Sequence, residues 1–159
     1  VGLSFSIYAT DNDERFPGSF LLSNRTSLAS IQVTEIYASL SNELSTPLIV
    51  YCDKDTARKP ARSFTNFTSE NISYFASLSA TADKPLSFLA GDRNLYTNHR
   101  LLSGVFGLTT NSRIAWAKSI HVEQGNIAQT DGSVQQVSNS RLTNSIKDQD
   151  LATNLLVFP

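Results

Sequence analysis

Candidate acid–base and metal-binding side chains lie in the segment HVEQGNIAQTDGSVQQV, at positions 121–137. His121 is followed by nine residues and then by the pair Asp131-Gly132. A histidine close to a carboxylate can act as a general base, bind a metal ion or hold a turn through a hydrogen bond. The residues available elsewhere in the chain decide which of these three roles the motif favours.

The second half of the motif has the pattern of a β-hairpin. Asp131-Gly132 separates NIAQT from SVQQV, and Asp-Gly is favoured in a two-residue type I′ turn because both turn positions need positive φ. This turn pairs Thr130 with Ser133 and Gln129 with Val134, and it predicts that Ile127 and Val134 share one face. Gly125-Asn126 reads as a second turn, which would leave His121 at the end of a preceding strand. His121 could then hydrogen-bond a turn carbonyl or the Asp131 carboxylate.

A metal site or a nucleophilic site is less favoured than this scaffold role. Zinc needs three or four protein ligands, and the chain has two histidines and one cysteine. No nucleophile-elbow sequence is present, and His99 lies in the polar segment YTNHR, which is typical of a solvated loop. Cys52 follows the apolar run PLIVY and is predicted to be a small buried hydrophobic residue. The sequence therefore predicts no catalytic residue, no cofactor and no metal ligand, and a structural role for His121, Asp131 and Gly132.

The acidic clusters of the chain favour surface positions over calcium binding. DNDE at 11–14 begins like an EF-hand loop, but Arg15 occupies the fifth position and the sixth is not glycine. DKD at 53–55 and KDQD at 147–150 place acids beside lysines, as on a solvated surface. Asp92 and Arg93 follow an apolar run, and this position predicts a partly buried ion pair between them.

Length and charge exclude several classes of protein. A chain of 159 residues is expected to form one domain, residues 1–159. The net charge of −1 and the pI of about 6.1 give no basic surface, so nucleic acid is not an expected partner. Charged residues make up only 17% of the chain, a low proportion that favours an envelope or extracellular protein. No run of 18 apolar residues is present, and the start at Val1 without any methionine predicts that a translated N-terminal segment has been removed.

The first half of the chain reads as helical. Apolar residues in VGLSFSIY fit the period of a strand and that of a helix equally well. From Leu28 to Leu44 the apolar spacing predicts one helix, with Ser27 as N-cap and Pro47 just past its end.

The second half reads as short strands followed by a helix. Four β-branched or aromatic runs, broken by turn residues, predict antiparallel strands: LIVYC, ISYFASL, LSFLAG and RIAWAKSI. Near the end, Leu142, Ile146 and Leu151 fit one helical face ahead of an apolar tail. Together these elements predict a single α+β domain.

Several blocks of the sequence resemble, in the same order, a family of prepilin-type proteins from Verrucomicrobia and Planctomycetes that carry an H-x9-DG domain. The blocks are GLSFSIYATDNDERFP, SNELSTPLIVYCDKDT, NISYF, GDRN and QGNIAQTDGSVQQ, together with His121 and Asp131-Gly132. The resemblance covers nearly the whole chain. Two positions depart from the family pattern, since Asp53 stands where a proline often follows the cysteine and Gln129 stands where an apolar residue is common.

The resemblance implies a pilin-like head, in which the end of a long helix, Val1 to about Asp11, packs on an antiparallel sheet. The absent half of that helix would be a membrane anchor of about 20 apolar residues, preceded by a short basic leader. The implied function is that of a structural subunit of a type II secretion-like pseudopilus or a type IV pilus-like assembly. Its partners would be other pilin-like subunits, the secretion machinery and the inner membrane, with the head on the periplasmic or extracellular face. The family implies no catalytic residue, cofactor or metal ligand that maps onto this chain.

An alternative function belongs to another class of protein. A secreted adhesin-like or carbohydrate-binding head would use exposed aromatic residues such as Tyr96 and Trp116. Trp116, however, alternates with Ile114 and Ile120 within RIAWAKSI, which predicts that it lies in the core. The residues encoded before Val1 distinguish the two readings, because a pilin-like protein needs a leader and an apolar stem there.

Overall fold

The protein combines helices with antiparallel sheets, so the predicted α+β class is confirmed. The computed structural model describes residues 1–159. The helices are α1 Gly2–Asp11, α2 Pro17–Asn24, α3 Val33–Ser39, α4 Ser41–Leu44 and α5 Asn139–Asp148. Short 3₁₀ helices occupy Leu28–Ser30, Pro47–Val50, Phe64–Asn66 and Ser69–Asn71.

Nine strands form two antiparallel sheets. They are β1 Tyr74–Ser77, β2 Phe88–Asp92, β3 Leu95–Thr97, β4 Arg100–Leu101, β5 Gly104–Leu108, β6 Ala115–Trp116, β7 Gln124–Gln129, β8 Val134–Ser138 and β9 Asn154–Phe158. The larger sheet has the order β5-β9-β1-β2-β7-β8, and the smaller one has the order β4-β3-β6. The apolar C-terminal tail is therefore a strand between β5 and β1.

The N-terminal segment, whose period left two possibilities open, forms helix α1. Phe5 and Ala9 lie one turn apart on its buried face, while Leu3 and Ile7 are 73% and 42% exposed. A strand would have placed Leu3, Phe5 and Ile7 on one face. The helix ends at Asp11, and Asp13 then adopts positive φ as the chain turns away.

The single helix predicted from Leu28 to Leu44 is wrong. The segment breaks into a 3₁₀ turn and the helices α3 and α4, and Ser27 makes no capping hydrogen bond. The reason is a capping box at Gln32, whose backbone N–H donates to the Glu35 side chain and which starts a new helix. Helix α2, which begins at Pro17, was not predicted.

The strand predictions are confirmed for the central strands of the large sheet and are wrong for the segment that precedes them in the sequence. ISYFASL contains β1 and LSFLAG contains all of β2 except Asp92, whereas only Ala115–Trp116 of RIAWAKSI is a strand. LIVYC was predicted as a strand and is wrong. Pro47–Val50 forms a 3₁₀ helix instead, because Pro47 fixes φ at its first position and the Thr46 side chain accepts a hydrogen bond from the Leu48 N–H.

The large sheet separates two hydrophobic cores. Residues alternate between them along the strands, so that Ala76, Ala128 and Val157 face the N-terminal helices while Phe75, Ile127 and Leu156 face the opposite side. The second core is covered by α5 and by the small sheet, and Leu142, Ile146 and Trp116 contribute to it. Leu151, predicted on the face of α5, lies beyond the helix. No helix of the protein has both the length and the apolar content needed to cross a bilayer.

Candidate functional site

His121 and the Asp131-Gly132 pair lie at opposite ends of β7, so the contact predicted between His121 and Asp131 is wrong. β7 has six residues, and a strand of that length spans about 20 Å. Asp131 instead accepts a hydrogen bond from the Ser133 N–H at 2.9 Å. The Ser133 hydroxyl and this N–H together lower the pKa of the Asp131 carboxyl. Asp131 serves the turn locally and His121 serves another part of the molecule.

The hairpin itself differs from the predicted two-residue type I′ turn. The Gly132 N–H donates to the Gln129 carbonyl, and the Gln129 N–H donates to the Ser133 carbonyl. These bonds describe a three-residue loop, a type I turn closed by a glycine bulge, in which Gly132 has a φ of +86°.

The pairing register shifts accordingly, and Ala128 lies opposite Val134. Ile127 and Val134 therefore point to opposite faces, contrary to the prediction. Thr130 is unavailable for pairing with Ser133, because its N–H donates to the Ser87 carbonyl and its hydroxyl to the Lys84 carbonyl.

The His121 side chain approaches two groups that are distant from it in the sequence. Its Nε2 lies 3.6 Å from Oδ2 of Asp92, at the end of β2, and 3.7 Å from Sγ of Cys52. The imidazole is half-buried, with 23% of the side chain exposed. His121 thus connects the loop before β7 to the end of β2 and to the loop after the Pro47–Val50 turn. We call His121, Asp92 and Cys52 the histidine cluster.

Asp92 is the buried member of the histidine cluster. Its Oδ2 accepts hydrogen bonds from the Asn126 backbone N–H at 2.6 Å and from the Asn126 side-chain amide at 3.0 Å, whereas its Oδ1 has no hydrogen-bond partner. Burial raises the pKa of the Asp92 carboxyl, although the Asn126 N–H and the His121 charge act in the opposite direction. A protonated imidazole beside Asp92 therefore offsets part of the cost of burying the carboxylate.

Cys52 is not the core residue that its apolar neighbours predict. The side chain is half-buried, and the Cys52 backbone N–H donates to Oγ of Ser73 at 3.0 Å. Burial and nearby carboxylates raise the pKa of the Cys52 thiol. At neutral pH the thiol form is favoured, which is the less nucleophilic form of a cysteine.

The histidine cluster differs in geometry from a catalytic triad. In a triad the acid engages Nδ1 of the histidine and the nucleophile engages Nε2, so that the ring can pass a proton between them. Here Asp92 and Cys52 both approach Nε2. The carboxylate and the thiol compete for the same nitrogen, an arrangement suited to bracing three chain segments.

A buried ion pair lies next to the histidine cluster, but its partners differ from those predicted. Arg93 binds Asp55 rather than Asp92, through Nε and a terminal nitrogen, each at 2.6 Å from a carboxylate oxygen. Consecutive strand residues point to opposite sides, so Asp92 and Arg93 cannot readily face each other. Burial acts to raise the pKa of Asp55, but the bonds and charge of Arg93 outweigh it and the pKa is lowered.

The loop that carries His121 has unusual backbone conformations. Val122 and Glu123 have φ values of +50° and +63°, and positive φ is unfavourable for a β-branched residue. The Glu123 N–H donates to the Ala117 carbonyl, and Gly125 is the second residue of β7. Gly125 is not a turn residue as predicted; a Cβ there would lie 2.5 Å from the Trp116 ring. The contacts of His121 and Trp116 hold this loop against its local preferences.

The remaining candidate residues lie apart from the histidine cluster. His99 is exposed in the turn between β3 and β4, as predicted, and Trp116 is 1% exposed in the core, as predicted. The side chain of Asp53 and the acidic residues Asp11, Asp13 and Glu14 are exposed. No group of three or more His, Cys, Asp or Glu side chains is arranged to hold a metal ion.

The sequence motif identified His121 but neither of its neighbours. Asp92 and Cys52 are separated from it by long stretches of chain, and no periodicity connects them. The available signal was the GDRN block, whose consecutive charged residues after an apolar run mark a polar strand end.

Comparisons with known proteins do not assign a family. No family model matches the chain, and neither the curated proteins nor the solved structures include a match.

Proposed function

We propose that the protein is the head of a pilin-like structural subunit, displayed on the outer side of an inner membrane and assembled with other such subunits. The observation that carries the proposal is the packing of α1 against the sheet and the neighbouring helices through Phe5 and Ala9. A head of this kind displays surfaces and performs no chemistry, which fits the geometry of the histidine cluster.

The contacts of α1 form a continuous connection to the sheet. Phe5 is fully buried and packs edge-on against Tyr37, with ring centroids 6.1 Å apart. The Tyr37 hydroxyl then donates to the Phe75 carbonyl in β1 at 3.1 Å. Ser4 adds a hydrogen bond to the Glu43 carbonyl at the end of α4. Force applied along α1 would thus be transmitted to the sheet.

The outer face of α1 supports an assembly role. Leu3 and Ile7 lie one turn apart on this face and are exposed, whereas Phe5 and Ala9 point inward. Exposed apolar residues at helical spacing are typical of a helix that packs against another helix. In our proposal the partners are the corresponding helices of neighbouring subunits, and the hydrophobic stem continues from α1 into the membrane.

Within this proposal the histidine cluster is a structural brace. It fixes the Cys52 loop and the loop before β7 to the end of β2. These three segments then keep one arrangement relative to one another.

The gene sequence ahead of Val1 tests the proposal directly. We expect it to encode a short basic leader followed by about 20 apolar residues. A conventional cleaved export signal at that position would overturn the pilin-like assignment.

A second test uses the full-length protein in its membrane. Leu3→Asp should abolish cross-linking between neighbouring subunits, because it introduces a charge on the proposed packing face. Thr143→Asp, at an exposed position of α5 on the other side of the sheet, should leave cross-linking unchanged. Equal cross-linking in both variants would contradict the role of the outer face.

One observation favours a second candidate, a secreted carbohydrate-binding head. A cleft of 360 Å³ lies beside the small sheet and is lined by residues that include Tyr96, His99, Trp116 and Lys118. The Trp116 indole N–H has no hydrogen-bond partner. Because Trp116 is 1% exposed, only Tyr96 and His99 could stack on a sugar. Loss of glycan binding in Tyr96→Ala, together with an export signal ahead of Val1, would favour this function.

A further inference from the structure

The large sheet has an open edge at β8. This strand, Val134–Ser138, pairs only with β7 and is the last strand of the sheet order. Gln129 and Ser133 form a hydrogen-bonded pair, and bonding alternates along an antiparallel ladder. The backbone groups of Gln135 therefore point toward β7, while those of Val134 and Gln136 point away from the sheet.

The β8 edge lacks the features that usually prevent strands from pairing with other chains. Natural edge strands carry charges, prolines or bulges that block further pairing. The sequence VQQVS has none of these, and its pairing with β7 runs without a register shift. Val134 is 64% exposed. The opposite edge, β5, is contacted by the Leu28–Ser30 turn, so β8 is the more accessible of the two.

Helix α5 lies beside this edge and forms a groove with it. The groove has a volume of 280 Å³, and its walls include Gln135 and Gln136 from β8 and Arg141, Asn144 and Asp148 from α5. Arg141 and Asp148 are exposed, and seven residues of helix place them about 10 Å apart along its axis. The groove thus carries one positive and one negative side chain at its two ends.

We propose that β8 is a self-association surface, on which a second copy of this chain pairs antiparallel with β8 to continue the sheet. In a pair centred on Gln135, Val134 and Gln136 of each copy exchange their outward N–H and C=O groups with Gln136 and Val134 of the other. No like charges meet along the strand.

The charges on α5 select a second copy as the occupant. The two-fold axis of such a pair is perpendicular to the sheet, so it reverses the direction of α5 while keeping it on the same face. Arg141 of one copy then faces Asp148 of the other, and this contact occurs twice. An isologous interface of this kind is self-complementary, as two-fold symmetry requires.

The interface goes beyond the proposed pilin-like function and does not depend on it. It uses β8 and α5, whereas the proposed assembly through the stem uses α1. The leader and apolar stem expected ahead of Val1 can therefore be found whether or not the chain self-associates at β8. Each proposal can fail alone.

The test is a charge exchange between two variants of the present chain, followed by sedimentation velocity from micromolar to millimolar concentration. We expect the parent to dimerise reversibly. Arg141→Glu and Asp148→Arg, each alone, should weaken dimerisation at least about tenfold because like charges then face each other. An equimolar mixture of the two variants should dimerise like the parent, since opposite charges are restored at both contacts.

Two controls separate the interface from general charge effects and from misfolding. Lys147→Glu makes the same change of charge on an exposed position of α5 outside the groove, and dimerisation should be unchanged. Gln136→Lys, with its folding checked by circular dichroism, should weaken dimerisation by placing a charge on the paired edge. A parent that stays monomeric throughout, or a mixture that dimerises no better than its components, would overturn the proposal; in the first case an extended segment of another protein becomes the favoured occupant.

Discussion

Nε2 of His121 lies 3.6 Å from Oδ2 of Asp92, a carboxylate whose side chain has no exposed surface. The distance is too long for a hydrogen bond, so the attraction between them, when the imidazole is protonated, is that of charges in a poorly solvated site. Because the two residues belong to different segments, this attraction opposes the opening of the loop before β7. It provides the physical basis of the first prediction.

At pH values where the imidazole is protonated, replacing His121 by Gln should lower the free energy of unfolding by about 1–3 kcal/mol, because Asp92 then loses a positive charge beside it. The pKa of Asp92 is raised in the folded state by burial, so stability present below about pH 4 is lost as the pH rises and Asp92 ionises. The imidazolium limits this loss. The deficit of the variant should therefore grow between about pH 4 and 6 in urea-unfolding experiments.

The matched control for that substitution is His99→Asn, which removes the exposed imidazole and retains a residue that tolerates positive φ. It should leave stability unchanged within about 0.5 kcal/mol. A pH-independent deficit in His121→Gln would show that charge does not act between His121 and Asp92.

The Arg93–Asp55 pair predicts the opposite pH dependence. The pKa of Asp55 is lowered in the folded state, so its stabilising contribution is present above about pH 4 and is lost as the pH falls through the folded-state value. Arg93→Met should destabilise the protein by about 3–5 kcal/mol at neutral pH, because an unpaired carboxylate stays buried. The double variant Arg93→Met with Asp55→Leu should recover much of this loss. A double variant whose loss equals the sum of the single losses would mean that the two side chains do not interact.

Cys52 should react slowly with a coloured disulfide reagent. Burial raises the pKa of its thiol, so the thiolate fraction at pH 7 is smaller than that of an unfolded cysteine. The labelling rate of the folded protein should be below that of the urea-unfolded chain and should still increase above pH 9. Because Cys52 is the only cysteine, the signal reports this position alone. Faster labelling in the folded state would instead indicate a thiolate stabilised by His121.

Gly132→Ala should lower the free energy of unfolding by about 1 kcal/mol. The site has open space around the missing Cβ, so the cost comes from the φ of +86° and not from a clash. Gly107→Ala in β5 is the control, because its φ is not positive and its new Cβ would make ordinary contacts. Thermal unfolding should show a lower midpoint for Gly132→Ala than for Gly107→Ala. Equal midpoints would contradict the left-handed conformation at Gly132.

Local patterns predicted some elements of this fold and missed those that depend on distant contacts. β1 and β2 are short runs with β-branched or aromatic residues, and they were predicted. The segment from Leu28 to Leu44 was predicted as one helix, because the spacing of apolar residues does not show where a capping box begins a new helix. The Asp-Gly turn was located, but its register was set by the bonds of Thr130 to Ser87 and Lys84, which lie far back in the chain.

The candidate site shows the same division. The H-x9-DG spacing singled out His121, and the spacing corresponds to the length of β7 and its turn. The neighbours of His121 could not be derived, because Cys52 and Asp92 reach it only once β1, β2 and β7 are side by side. The pairing of Arg93 with Asp55 has the same origin.

The position of β9 has a consequence for how the chain is made. It is the last of the strands to be synthesised, yet it lies between β1 and β5, and Asn154 accepts a buried hydrogen bond from Ser77 at 2.6 Å. Until the ribosome has delivered residues 154–158, two neighbouring strands have nothing between them and the sheet stays open. A polypeptide that lacks residues 154–158 should therefore leave the facing edges of β1 and β5 unpaired and aggregate rather than fold.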